Sequence, residues 1–179
     1  MTTFEPVVLA TARLRLYELS PGQAGELLLG RQPVPGVAWS AGYPLAGTRI
    51  AAIMLTSSAE AGAWRPGFGI YQIVLAGAAV GDIGFHGAPV DGRVEIGYGL
   101  AAPAHGRGLA TEALTALGSW ALDQPEVAVL TAETDRGNLA SQRVLTRAGF
   151  RHLRDDDVAR YFELTAEDRY GVGAQPGIG

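Results

Sequence analysis

The sequence predicts a mixed α/β (α+β) fold, a central sheet of about seven strands flanked by about four helices. Three observations carry this. Residues 93–113, RVEIGYGLAAPAHGRGLATEA, run from a strand through a glycine-rich turn into a helix. Turn signals at Ala76-Gly77 and Asp91-Gly92 link three apolar segments as antiparallel neighbours. The composition over 179 residues, 47% hydrophobic and 18% charged, suits one globular domain with a substantial core. That domain is expected over residues 1–170, with the glycine-rich 171–179 a mobile tail.

In chain order, residues 1–10 form a lead-in, and RLRLYEL at 13–19 alternates well enough for a first strand. Ser20-Pro21-Gly22-Gln23 offers an N-cap serine, a proline at the first helical position and a capping-box glutamine, for a helix that stops at Gly30. Pro33, Pro35, Gly36, Gly42, Pro44 and Gly47 make residues 31–47 an irregular loop. Thr48 is then expected to cap a second helix through Glu60, with Ile50, Ile53 and Met54 buried. Residues 69–75 and 79–86 are the second and third strands.

The fourth strand sets Val94, Ile96, Tyr98 and Leu100 on one face and Glu95, Gly97 and Gly99 on the other. Ala110, Ala113, Leu114, Leu117 and Ala121 follow at helical spacing. Residues 127–134 form another apolar strand, and 138–148 a helix that Gly149 ends. Residues 150–153 and 158–164 close the sheet. Neither an internal repeat nor a second domain is visible.

A strand, a glycine turn and a helix N-terminus aim free backbone N–H groups and the positive end of the helix dipole at one point. Such a point favours an anion, most often a phosphate or pyrophosphate. A P-loop is excluded, because it needs a lysine and the chain has none. A dinucleotide fingerprint is excluded as well: Gly106 and Gly108 are followed by Leu109, Ala110 and Thr111, without a third glycine.

The segment resembles motif A of the GNAT superfamily of N-acetyltransferases, Gln/Arg-x-x-Gly-x-Gly/Ala. His105-Gly106-Arg107-Gly108-Leu109-Ala110 matches it at Gly108 and Ala110, with His105 where Gln or Arg is usual. The wider string EIGYGL…HGRGLATEA is similar to the RimJ and RimL branch of ribosomal-protein N-terminal acetyltransferases. Asn138-Leu-Ala-Ser-Gln-Arg-Val-Leu-Thr-Arg-Ala-Gly-Phe150 resembles motif B, Asn-x-x-Ser…Gly-Phe. The resemblance spans about residues 9–164, and the element order is that of the GNAT acyl-CoA N-acyltransferase fold.

The resemblance implies an acetyl-CoA-dependent enzyme that acetylates a primary amine, a protein N-terminus or a small molecule, by direct attack in a ternary complex. Backbone groups of His105, Gly106, Arg107, Gly108, Leu109 and Ala110 would cradle the pyrophosphate, with Thr111 as a hydroxyl donor and Arg107 as a charged one. A bulge around Gly97 and Gly99, with this strand splaying from the fifth, would let the pantetheine arm run between the two strands and pair with backbone at Tyr98, Gly99, Leu100 and Ala101. Asn138 would orient that arm.

Glu95 is the first candidate base, with Asp82, His86 and Glu133 as substitutes. Ser141 is the candidate acid, since Leu145 stands where many relatives place a tyrosine. Trp39, Tyr43, Trp64 and Tyr161, together with Glu95, are the acceptor-site candidates. Two other readings stay open: a different acyl donor in a biosynthetic or resistance enzyme, and a non-catalytic CoA-binding regulator.

The remaining composition sets bounds. A net charge of -4 gives nonspecific nucleic-acid binding no general support. Without cysteine there is no disulfide framework, thiolate metal site or cysteine nucleophile, and no metal is expected. No apolar run reaches the length of a membrane span, so a cytoplasmic protein is the expectation, and the resemblance admits a homodimer.

Overall fold

A computed structural model describes residues 4–171. In chain order the elements are β1 (Val8–Ala10), β2 (Leu14–Glu18), α1 (Pro21–Leu28), β3 (Ala38–Trp39), α2 (Ala46–Glu60), β4 (Ile70–Leu75) and β5 (Ala78–Phe85). There follow β6 (Arg93–Leu100), α3 (Leu109–Leu122), β7 (Val129–Asp135), α4 (Leu139–Arg147), β8 (Arg151–Asp155), β9 (Ala159–Thr165) and α5 (Ala166–Gly171). The sheet runs β1-β2-β4-β5-β6-β7-β9-β8, with β3 paired in parallel to β5. Nine strands and five α-helices thus lie among the described residues, the additions being β1 in the lead-in, β3 in the proline-rich loop and α5 after the last strand. The glycine-rich residues 172–179 lie outside the described residues.

Local chemistry explains the boundaries. Ser20 and Gln23 close a reciprocal capping box, Gln23 N–H donating to Ser20 Oγ (3.2 Å) and Ser20 N–H to Gln23 Oε1 (2.9 Å). Ala76 and Gly77 have φ of 48° and 81°, the left-handed pair of a two-residue hairpin turn. The start of α2 differs from expectation: Leu45 is the N-cap, and Thr48 sits in the first turn accepting from Leu45 N–H at 3.1 Å.

The buried stripe of α2 differs too. Thr48, Ala52 and Leu55 are buried, whereas Ile50, Ile53 and Met54 are 59%, 52% and 47% exposed. Ala52 and Leu55 pack against α1 and Ile70 of β4, which turns the branched flank of the helix outward.

The helices α1 and α2 cover one face of the sheet, and α3 and α4 the other. Leu109, Ala113, Leu114, Leu117 and Ala121 of α3 are fully buried against Tyr71, Ile73, Ile96 and Leu130. Each such leucine contributes about 1.5–3 kcal/mol by leaving water.

For the site, the junction of β6 with β7 matters most. The two strands pair in parallel through three positions, Arg93↔Val129, Val94↔Leu130 and Glu95↔Thr131, and then part. No helix among the described residues is long and apolar enough to cross a membrane.

Candidate active site

Beyond Glu95, β6 stays bonded to β5 but loses β7. The β5–β6 register is continuous from Gly81↔Leu100 to Phe85↔Ile96, so the bulge expected near Gly97 and Gly99 is absent. The expected splaying is present: β6 parts from β7, and this parting opens the strand edge. Glu95 C=O accepts from His86 N–H on the β5 side, and Ala101 N–H donates to Val80 O at 2.8 Å. Strand alternation therefore turns the N–H and C=O of Tyr98 toward the gap. The carbonyl of Leu100 is already taken by His105 Nε2 at 2.8 Å.

Residues opposite one another across an antiparallel pair share a face. Asp82 pairs with Gly99, Gly84 with Gly97, and Gln72 with Asp82, so these residues look toward α1 and α2. The missing side chains at Gly84, Gly97 and Gly99 admit close neighbours there, the Gly69 carbonyl, the His86 ring and Leu45 respectively. A cavity of about 710 Å³ opens between this face and α2 and extends to the N-terminus of α4. Asp82, His86, Glu95, Glu133, Asp135, Asn138 and Ser141 lie on its wall, as do Tyr98, Ile50, Met54 and Trp64.

The titratable groups of the wall are coupled. His86 Nδ1 stands 3.1 Å from Glu95 Oε1. That hydrogen bond, helped by the charges of Glu95 and Glu133, raises the histidine above its ordinary range against the opposing effect of burial. The same bond holds Glu95 below the usual glutamate value. With Nδ1 engaged, Nε2 is the free nitrogen. Asp82 is 8% exposed and accepts a hydrogen bond from the Thr48 hydroxyl; burial pushes it up to about 6.

The glycine loop ends at Gly108, the N-cap of α3, whose φ of 74° suits a residue without Cβ. Glu112 N–H makes the first helical bond, to Gly108 O, so the N–H groups of Leu109, Ala110 and Thr111 precede it. Arg107 is exposed, and its carbonyl accepts from Arg13 Nη1 at 2.9 Å. Arg13 is in turn held by Glu112 through Nε at 2.7 Å and Nη2 at 2.6 Å. Sequence reasoning missed this arginine, because β2 and the loop meet only in the folded sheet.

At the other end, Asn138 caps α4 by accepting from Ser141 N–H at 3.1 Å. Tyr98, reaching from β6, donates its hydroxyl to the Ser141 carbonyl at 3.1 Å. Leu145 is 1% exposed in the core. Thr134, also on the wall, is 7% exposed with no hydrogen-bond partner for its hydroxyl among the described residues.

Three acceptor-site candidates lie off this wall. Trp39 and Tyr43 pack edge-to-face with ring centres 6.1 Å apart, because β3 pins Trp39 beside β5. Tyr43 also accepts from Gln72 Nε2 at 3.1 Å within the protein. Tyr161, on β9, donates to Asp156 at 2.7 Å and lies under the Arg154 guanidinium at 3.6 Å. Trp64 does reach the cavity.

Comparison with known proteins supplies the family and the fold. The model of the Acetyltransferase (GNAT) domain family matches residues 13–151. The chain belongs to the GNAT acetyltransferases. It is similar to the uncharacterized N-acetyltransferase YjdG of Bacillus subtilis, 38% identical over 72 residues, which span 40% of this chain and 43% of that protein. Among solved GNAT structures, RimL, a ribosomal L7/L12 alpha-N-protein acetyltransferase in complex with coenzyme A, superposes with TM-score 0.65 at 16% identity, covering 90% of this chain and 99% of that one. The microcin C7 self-immunity acetyltransferase MccE, in complex with acetyl-CoA and AMP, gives 0.60 at 16% identity over 87% and 93%. A GNAT acetyltransferase from Bacillus anthracis gives 0.62 at 15% over 90% and 99%. The GNAT fold expected from the two motifs is therefore the fold of this chain.

Proposed function

We propose that this protein transfers an acetyl group from acetyl-CoA to a primary amine by direct attack within a ternary complex. The observation that carries the proposal is the His86–Glu95 pair, set on the cavity wall just where β6 parts from β7. The residues present fit coenzyme A. The N–H groups at the start of α3, with Arg13 beside them, suit a pyrophosphate, and the gap-facing backbone of Tyr98 suits an amide-bearing arm. Coenzyme A supplies the acyl group as a reactive thioester.

The protein's own groups do the rest. Glu95, Glu133 and Asp135 attract the acceptor as an ammonium ion. Glu95 orients the imidazole, and His86 Nε2 removes a proton from the ammonium. The freed nitrogen lone pair forms the C–N bond at the acyl carbon while the C–S bond breaks, its electron pair leaving on sulfur. Tyr98 N–H is the donor available to the acyl oxygen. The nitrogen's second proton passes to water, and the Ser141 hydroxyl, at the N-terminus of α4, gives its proton to the thiolate and regains that one through water. Compared with the sequence expectation, the roles shift by one place: His86 is the base and Glu95 its positioning partner.

The RimL-like branch suggests protein N-termini as well as small amines for the acceptor. Calorimetry with acetyl-CoA, then thiol release against a mixed amine panel, tests the proposal. Saturable binding and amine-dependent release are expected; binding without release for any amine would instead favour a regulatory CoA-binding protein.

A further inference from the structure

The cavity wall divides by chemistry. On the sheet side stand four carboxylates, Asp82, Glu95, Glu133 and Asp135. The cationic side chains on the wall are already engaged, His86 with Glu95 at 3.1 Å and Arg65 with Glu126 at 2.6 Å. Facing them, Ile50, Ala51, Met54 and Leu55 of α2, with Trp64 and Phe68, present hydrocarbon. Ile50 and Met54 remain 59% and 47% exposed, which is unfavourable unless something apolar covers them.

We infer that the acceptor is a primary amine whose adjoining substituent is apolar, and that it carries neither carboxylate nor phosphate near the amine. The inference rests on the acetyl transfer proposed above and narrows its substrate. The ammonium lies on the acidic face and the substituent against α2. An anionic group beside the amine meets carboxylates, and each cationic side chain on the described wall already has an anionic partner. A hydrophilic amine leaves Ile50 and Met54 in water. The same ammonium–apolar unit occurs in a free alkyl or arylalkyl amine and in the first residue of a polypeptide.

The test gives the full chain acetyl-CoA and, in turn, 2-phenylethylamine, phenylalanine, ethanolamine and an amidated peptide beginning with phenylalanine. Thiol release should give 2-phenylethylamine a kcat/KM at least about tenfold above both phenylalanine and ethanolamine, the scale of one well-matched pocket contact. The peptide outrunning 2-phenylethylamine assigns the unit to a chain terminus, and the reverse to a free amine; either supports the class. Parity of phenylalanine or ethanolamine with 2-phenylethylamine overturns it while leaving acetyl transfer standing.

If no amine is acetylated, calorimetry on the CoA-bound protein separates the two proposals. Preference for 2-phenylethylamine over phenylalanine then keeps the class and overturns the transfer reaction, whereas equal or absent binding overturns the class. The exposed double variant Ile50→Ser/Met54→Ser supplies an independent check. It should raise KM for 2-phenylethylamine and leave that for ethanolamine and the affinity for CoA unchanged; an unmoved KM for 2-phenylethylamine counts against the proposal.

Discussion

The imidazole of His86 lies across the bare α-carbon of Gly97, so that a Cβ at position 97 would stand 2.9 Å from His86 Nε2. His86 directly follows β5 and Gly97 lies on β6, and the missing side chain of one makes room for the free nitrogen of the other. The obstructed atom is the far end of a side chain, not backbone, so the fold can yield while the base cannot stay. Gly97→Ala should therefore change stability by no more than about 1 kcal/mol and lower kcat about tenfold or more. Thermal unfolding and steady-state kinetics on the same preparation check it, and unchanged kcat would remove His86 from its role.

The His86–Glu95 hydrogen bond makes a prediction about pH. Glu95 raises the histidine, so the active, deprotonated base accumulates only at higher pH. Glu95→Gln removes the hydrogen bond to a carboxylate and its charge, and the histidine falls. The rising limb of kcat/KM against pH should move to lower pH, with a lower plateau because Nδ1 is less well oriented. Measuring both enzymes with one acceptor cancels the titration of the amine itself. A limb that stays in place would show that Glu95 does not set the base.

Arg13, the residue before β2, reaches the glycine loop proposed to hold the pyrophosphate. Its bond to the Arg107 carbonyl and its anchoring by Glu112 place a guanidinium next to the turn. Arg13→Gln should weaken CoA binding about tenfold, the value of one charge-assisted contact, with little effect on kcat at saturating donor. Gly108→Val, which forces a β-branched residue to a φ of 74°, should weaken it further. Calorimetry with CoA decides both.

Asp82 ties stability to pH. The folded chain holds its proton up to about 6, against 3.8 for the ordinary group, because burial disfavours the carboxylate. Between those values unfolding releases a proton, so the contribution is complete below 3.8 and lost as pH rises through about 6. Asp82→Asn lacks this dependence. Relative to the variant, the wild type should lose up to about 3 kcal/mol of stability from pH 4 to pH 7, a rise of about two pH units at ~1.4 kcal/mol each. Denaturant unfolding at both pH values measures the difference, and parallel curves would place the titration elsewhere.

Much of this molecule was legible along the chain because the governing interactions are local. The Ser20–Gln23 capping box, the left-handed turn at Ala76-Gly77, the Gly108 helix start and the Asn138 cap each join residues within a few positions of one another. Strand alternation likewise put Glu95, Gly97 and Gly99 on the face that lines the cavity. The burial of α2 was misjudged because Ile50, Ile53 and Met54 are apolar, and only packing against α1 and β4 selects Ala52 and Leu55 instead. Trp39, Tyr43 and Tyr161 lie off the cavity wall for a similar reason: strand pairing fixes Trp39 and Tyr161, and the Trp39 ring and Gln72 hold Tyr43.

By itself, then, the sequence determined the main order of elements and the glycine turn that starts α3, both properties of short-range backbone preference and spacing, and its two motifs carried the resemblance to the GNAT family. Only the tertiary structure decided which groups act together. Register across β5 and β6 brought His86 to Glu95, and Arg13 reached Arg107 across 94 positions of sequence. A proton relay and an anion site depend on distances of about 3 Å between such groups, and folding alone sets those distances.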